Sequence, residues 1–242
     1  RIIGVNSRAG LGVLLGKIMD VASFLTGLSI AAIPVLFAIT LHEAAHAYAA
    51  KYFGDLTAYS QGRMSLNPTK HIDLFGTILI PVMLALVGSP FLFGYAKPVP
   101  VDFSRLRHPK RDMVWVALAG PAINLFQAFA WAVLIYLLSG MGSEEHFFLE
   151  MAQAGVLVNL VMFAFNLFPL PPLDGGRIVV GLLPMRLAIG FSHIERYGFF
   201  IVMGLVLMGV INSFWMRPIM MATTEGIQWV LQPLASLLQL AP

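Results

Sequence analysis

Residues 21–41 carry no charge, and the run ends in Leu41-His42-Glu43-Ala44-Ala45-His46, so three ionisable side chains arrive where a helix is expected still to be near hydrocarbon. Ionisable groups at that depth are costly unless they are paired or bound to a cation. On an α-helix, positions i and i+4 stand one above the other on the same face, so the imidazoles of His42 and His46 can share one cation, and zinc suits them best. Glu43 sits one residue beyond the first of them. From there a carboxylate can take a proton from a water without itself being a ligand. Reading the two histidines as ordinary interfacial residues leaves the cost of burying the trio unexplained.

Hydrophobic residues make up 58% of the 242 and charged residues only 11%, with a mean hydropathy of +0.82, which places the chain among proteins whose solvent is the lipid bilayer. There is no cysteine, so no disulfide holds the fold and any metal site must draw on His, Asp or Glu. The net charge of +3 is small and concentrated in loops, which suits membrane orientation and argues against nucleic-acid binding.

In chain order, residues 1–20 hold Arg1, Arg8 and Lys17 and suggest a membrane-surface segment, followed by a first span over residues 21–53 in which Pro34 favours a kink. Ala44, Ala45, Ala47, Ala49 and Ala50 leave room for another backbone to approach. Residues 54–67 alternate polar and apolar side chains and predict a short strand or hairpin. Residues 74–96 are uncharged but broken by glycines and prolines, as in a span or a re-entrant hairpin, and His71 and Asp73 before them read as loop residues rather than ligands. A basic loop with Arg105, Arg107, Lys110 and Arg111 precedes the uncharged run 113–143, which contains Asn124. A lone Asn in such a helix usually bonds a neighbouring helix. A further uncharged run, 151–173, contains Asn159 and Asn166 and ends in Phe168-Pro169-Leu170-Pro171-Pro172-Leu173-Asp174-Gly175-Gly176. Asp174 there is a carboxylate in apolar surroundings, and of the twelve carboxylates, Glu43 apart, only it and Glu150 sit next to long apolar runs in a position to reach the histidines. A span over 197–216 and a tail with Trp229 that reads as an interfacial helix complete the chain.

These motifs, His42-Glu43-Ala44-Ala45-His46, Asn67-Pro68 with His71-Ile72-Asp73, Gly120-Pro121-Ala122-Ile123-Asn124, and Asn166-Leu167-Phe168-Pro169 through Leu173-Asp174-Gly175-Gly176, make the chain resemble the site-2 protease family of intramembrane zinc metalloproteases over most of its length. The resemblance implies one zinc held by His42, His46 and Asp174 with a fourth position open to water, Glu43 as general base, and Asn124 near the active site, contacting substrate or the developing oxyanion. It further implies three helices around the zinc. No stretch is long enough for the PDZ or CBS domains of some relatives, so a compact single domain is expected, with a catalytic core over residues 21–184 and C-terminal helices over 185–242.

The expected fold is an all-α polytopic membrane protein of five to six transmembrane or re-entrant helices with short β segments near the site. The expected partners are the lipid bilayer and a transmembrane protein substrate, unwound and paired as an extended strand along residues 56–66, with Leu56, Tyr59, Gln61, Met64 and Leu66 lining it. A metal shared between His42, His46 and Asp174 requires the ends of two spans to lie near one membrane face, and the basic loops make that face cytoplasmic, in a bacterial or archaeal cell membrane. The basic N-terminus argues the other way but ranks below the metal geometry. The competing reading is a divalent-metal transporter with His and Asp along a permeation path. Such a protein would repeat its polar residues through several spans, whereas here they converge on one place. A membrane metallohydrolase acting on a soluble substrate is a weaker third reading.

Overall fold

The computed structural model describes residues 7–80, 82–83, 97–141 and 146–238. Its helices are α1 (Ser7–Tyr52), the single turn α2 (Thr57–Ser60), α3 (Pro109–Gly140), α4 (His146–Asn166), α5 (Asp174–Leu182), α6 (Met185–Ser192), α7 (Glu195–Leu207) and α8 (Arg217–Leu237). α1 continues without a break from the expected surface segment into the span and passes through Pro34. Among the described residues, three helices are long and apolar enough to cross a membrane: Thr26–Tyr52 within α1, α3 and α4. At 1.5 Å per residue the shortest of them, α4, is about 31 Å long, enough for a hydrocarbon core of about 30 Å. Large exposed side chains such as Phe37, Phe126 and Leu157 stud their outer faces. In water such a surface would be a liability; in lipid it is the ordinary outer face.

The three helices pack on one another through small residues. Ala44, Ala47 and Ala50 of α1 form a fully or nearly fully buried stripe at three-residue spacing. α3 starts beside the end of α1: the backbone N–H of Arg107 donates to Phe53 O (2.9 Å), and Ala50, Leu106 and Val116 share one apolar cluster. Pro109 fits the first turn of α3, where its missing N–H costs nothing, and the buried Asp112 accepts from the N–H of His108 (2.8 Å). α1 and α3 therefore run antiparallel, and α4 brings the chain back to the end where α3 began.

The structure corrects two expectations. Residues 56–66 form no strand, and none occurs among the described residues. Asp55 accepts from the N–H and hydroxyl of Thr57 and nucleates α2, after which the N–H groups of Ser60, Gln61, Gly62, Arg63 and Met64 are all spent on carbonyls of residues 56–59. The expected span 197–216 is interrupted: α7 ends at Leu207, Gly209 adopts φ +72°, and the chain bends by 80° before continuing through a π-helical turn, Asn212–Met216, into α8. Counting that bent pair as one span gives four among the described residues; the remaining expected segment, 74–96, lies largely outside them. α8, expected as an interfacial helix, packs on the bundle, with Ile227 and Leu231 buried against Ala128 and Ala132 of α3 and Leu160 of α4, while Trp229 stays exposed.

Because Arg107 sits against the end of α1 and α2 follows that end directly, single cysteines introduced at Ser60 and Arg107 of this cysteine-free chain are predicted to react with an impermeant maleimide from the same side of sealed vesicles. Reaction from opposite sides would break the arrangement.

Candidate metal centre

His42 and His46 lie about 15 Å and about 9 Å back along α1 from its end at Tyr52, so the site is set inside the helix bundle rather than on its rim. Their Nε2 atoms are 3.1 Å apart, and Oδ2 of Asp174 lies 3.3 Å from each. Among the described residues these three form a group of side chains able to hold a metal.

The hydrogen bonds behind the imidazoles decide which nitrogen is free. Nδ1 of His46 faces the backbone carbonyl of Val116 (2.7 Å), an acceptor only, so the proton must sit on Nδ1. Nδ1 of His42 faces Oδ1 of Asn124 (2.6 Å) and is fixed in the same way. Both neutral rings thus turn an Nε2 lone pair toward the other and toward a carboxylate. Oδ2 of Asp174 is buried and accepts no hydrogen bond. Three electron-rich atoms so close together, one of them without a partner, repel one another unless a cation sits among them.

The triangle also has the right size. A tetrahedral zinc with ligands at about 2.0–2.1 Å separates them by about 3.3 Å, which the three edges match within a few tenths, and two imidazoles with one carboxylate is a catalytic-type zinc donor set. Space is made by glycine. A Cβ on Gly120 would fall on the rings of both histidines, so Gly120-Pro121 is where α3 can pass over the site. Gly175 and Gly176 do the same for Asp174, because a Cβ on either would overlap the backbone of the 167–171 turn, against which α5 begins. That turn is pinned from behind by Trp215, whose Nε1–H donates to Ala164 O (2.8 Å) and whose ring meets Phe168 edge-on.

Asn124, expected near the active site, lies directly behind His42. It is completely buried, with Oδ1 on His42 and Nδ2 donating to Asn159 Oδ1 (2.9 Å) and Ala38 O (3.2 Å), and Asn159 donates on to Gly155 O. With both ends of its amide occupied, it orients the His42 ring from behind. Glu43 stands outside the triangle, and its Oε2 accepts from the backbone N–H of Val99 (2.7 Å). His71 is fully buried and not among the three; its Nε2 faces Ser65 O and its carbonyl accepts from the N–H of Lys97. Glu150 is exposed on α4. Leu56, Tyr59 and Leu66 are more than half exposed, Gln61 is exposed, and Met64 turns inward against Ala47, Ala58 and Val99. The roles of Val116, Asn159 and Val99 were missed from sequence. Asn159 alone left a trace there, as a second amide in an apolar run.

Comparison with known proteins agrees with this site. The chain is 40% identical over 204 residues to the "Putative zinc metalloprotease YwhC" of Bacillus subtilis (strain 168), covering 81% of this chain and 87% of that protein. It is 28% identical over 182 residues to a protein of the same description, Rip2, of Mycolicibacterium smegmatis, covering 74% of this chain and 67% of that one. Rip2 of Mycobacterium tuberculosis (strain ATCC 25618 / H37Rv) is 29% identical over 142 residues, 58% of this chain and 52% of that one. No protein-family model and no solved structure matches the chain.

Removing the acceptor behind His42 with Asn124→Ala is predicted to weaken zinc binding by about 10–100-fold in competition with a chelator, and Gly120→Ala, whose methyl displaces the imidazoles, to abolish stoichiometric binding. Unchanged affinity in both variants would show that the triangle is not the metal centre.

Proposed function

This chain belongs to the site-2 protease family of zinc metalloproteases, and we propose that it hydrolyses peptide bonds in or near the transmembrane segment of membrane-protein substrates. The observation that carries the reading is the depth of the donor triangle, one and a half to nearly three helical turns inside a membrane-length helix. A bond that reaches it must itself lie in or beside the bilayer.

His42, His46 and Asp174 would hold the zinc, which when bound supplies the Lewis acidity that polarises a peptide carbonyl and acidifies water. Glu43 takes the proton of the attacking water on the carboxylate oxygen that Val99 leaves free and returns it to the departing amine. Asn124 and Val116 keep the imidazoles in the tautomer that leaves Nε2 basic. The apolar walls of α1, α3 and α4 limit access of bulk water. A helical substrate presents no open carbonyl, so it unwinds before the reaction. The exposed side chains of Leu56, Tyr59 and Leu66, with Gln61 between them and Met64 beneath, offer an apolar rest for the unwound chain. The N–H groups of Gln61 and Met64 are already engaged, so the contact is made through side chains rather than by strand pairing.

Lys51, Arg105, Arg107, Lys110 and Arg111 gather at the end of the bundle where α1 finishes and α3 starts, and the excess of cations there favours a cytoplasmic position for the active-site end in a bacterial or archaeal cell membrane.

Reconstituted with single-span membrane proteins, the purified chain is predicted to yield fragments cut in or next to the span, to stop on chelation and to resume with zinc. Glu43→Gln should keep its zinc and slow cleavage by about 10²–10⁴-fold, the usual worth of a positioned base. Near-normal cleavage by that variant would remove Glu43 from the mechanism.

A further inference from the structure

Lys97-Pro98-Val99-Pro100-Val101 runs as an irregular strap past the mouth of the site, and Val99 supplies the one backbone N–H between its two prolines. That N–H donates to Oε2 of Glu43 (2.7 Å). The carbonyl of the same peptide unit, Pro98 O, accepts from Nη2 of Arg63 (3.3 Å), which also donates to Lys97 O (3.0 Å). One planar peptide is therefore gripped at both ends, by a guanidinium at its negative end and a carboxylate at its positive end. A cation on the carbonyl polarises the peptide and strengthens its N–H as a donor, so the two contacts reinforce each other. Pro98 and Pro100 restrict the backbone on either side of this unit. Arg63 is steadied in turn, since Lys70 Nζ holds the neighbouring carbonyl of Gly62 (2.8 Å) and the N–H of Arg63 donates to Ala58 O (2.9 Å).

We infer that Arg63 is a positioning residue for the reaction, acting through the Pro98–Val99 peptide to hold the Glu43 carboxylate with one oxygen anchored and the other free. The inference rests on Glu43 serving as the base. Lysine at position 63 keeps the charge but not the planar fork, so it should serve only in part.

The test uses the full chain in vesicles, comparing wild type, Arg63→Gln and Arg63→Lys, each also combined with Glu43→Gln, and Glu43→Ala alone. Cleavage of a single-span substrate is followed together with zinc content and with hydrogen exchange of residues 97–101, where prolines leave only three exchanging amides. Arg63→Gln should lower kcat about tenfold at unchanged KM and zinc content, with Arg63→Lys in between, and should speed exchange at Val99 about tenfold, as Glu43→Ala should also do. In the Glu43→Gln background the loss of Arg63 should cost no further activity, a result that a merely structural role would not give. Val99 exchanging as slowly in Arg63→Gln as in wild type, or an equal loss of kcat in both backgrounds, overturns the inference. A wild-type chain that cleaves nothing overturns the protease reading instead, and the exchange of Val99 in Arg63→Gln and Glu43→Ala then decides the linkage to Glu43 by itself.

Discussion

The rest of this structure depends on two imidazole lone pairs and a carboxylate oxygen being held 3.1–3.3 Å apart inside a helix bundle. Left alone, that arrangement is repulsive and should relax by turning a ring or moving Asp174 away. The bundle prevents it by occupying the opposite nitrogen of each ring and by seating Asp174 at the start of α5, where the helix N-terminus also favours an anion. A cation among the three atoms would convert the repulsion into attraction, the physical basis on which metal binding couples to folding.

The requirement propagates outward. His42 is steadied by Asn124 on α3, Asn124 by Asn159 on α4, and Asn159 by the carbonyl of Gly155 a turn earlier on the same helix. This polar path joins all three membrane-length helices at one level, where unpaired amides would be costly. Close approach demands small residues, which explains why Gly120 and the alanine stripe of α1 face inward while Phe37, Phe126 and Leu157 face lipid. Trp215 and the bend before α8 brace the turn that delivers Asp174. Elements far from the chemistry in sequence thus serve to keep one oxygen near two nitrogens.

Much of this was legible in the chain. Long uncharged runs announced α1, α3 and α4 because lipid admits only segments that satisfy their own backbone, and the four-residue spacing of His42 and His46 is a property of the helix itself. The tendency of a lone membrane Asn to bond a neighbouring helix anticipated the Asn124 to Asn159 contact but not its other partner, since nothing local tells that residues 42 and 124 share a face. The alternation in residues 56–66 misled because Asp55, just upstream, offered side-chain hydrogen bonds that start a helical turn. The break at Gly209 lay hidden in an apolar run whose hydropathy says nothing about φ. The grip of Arg63 and Glu43 on one peptide is tertiary, and Pro98 and Pro100 hinted only that the strap is stiff.

The central claim is a single zinc with two histidines and one aspartate around it, and X-ray absorption at the zinc edge tests it most directly. The purified chain should carry one zinc with nitrogen and oxygen neighbours at about 2.0–2.1 Å and the outer-shell scattering of two imidazole rings, a pattern that Asp174→Ala alters. A zinc without that pair of rings, or a spectrum unchanged by Asp174→Ala, would contradict the account.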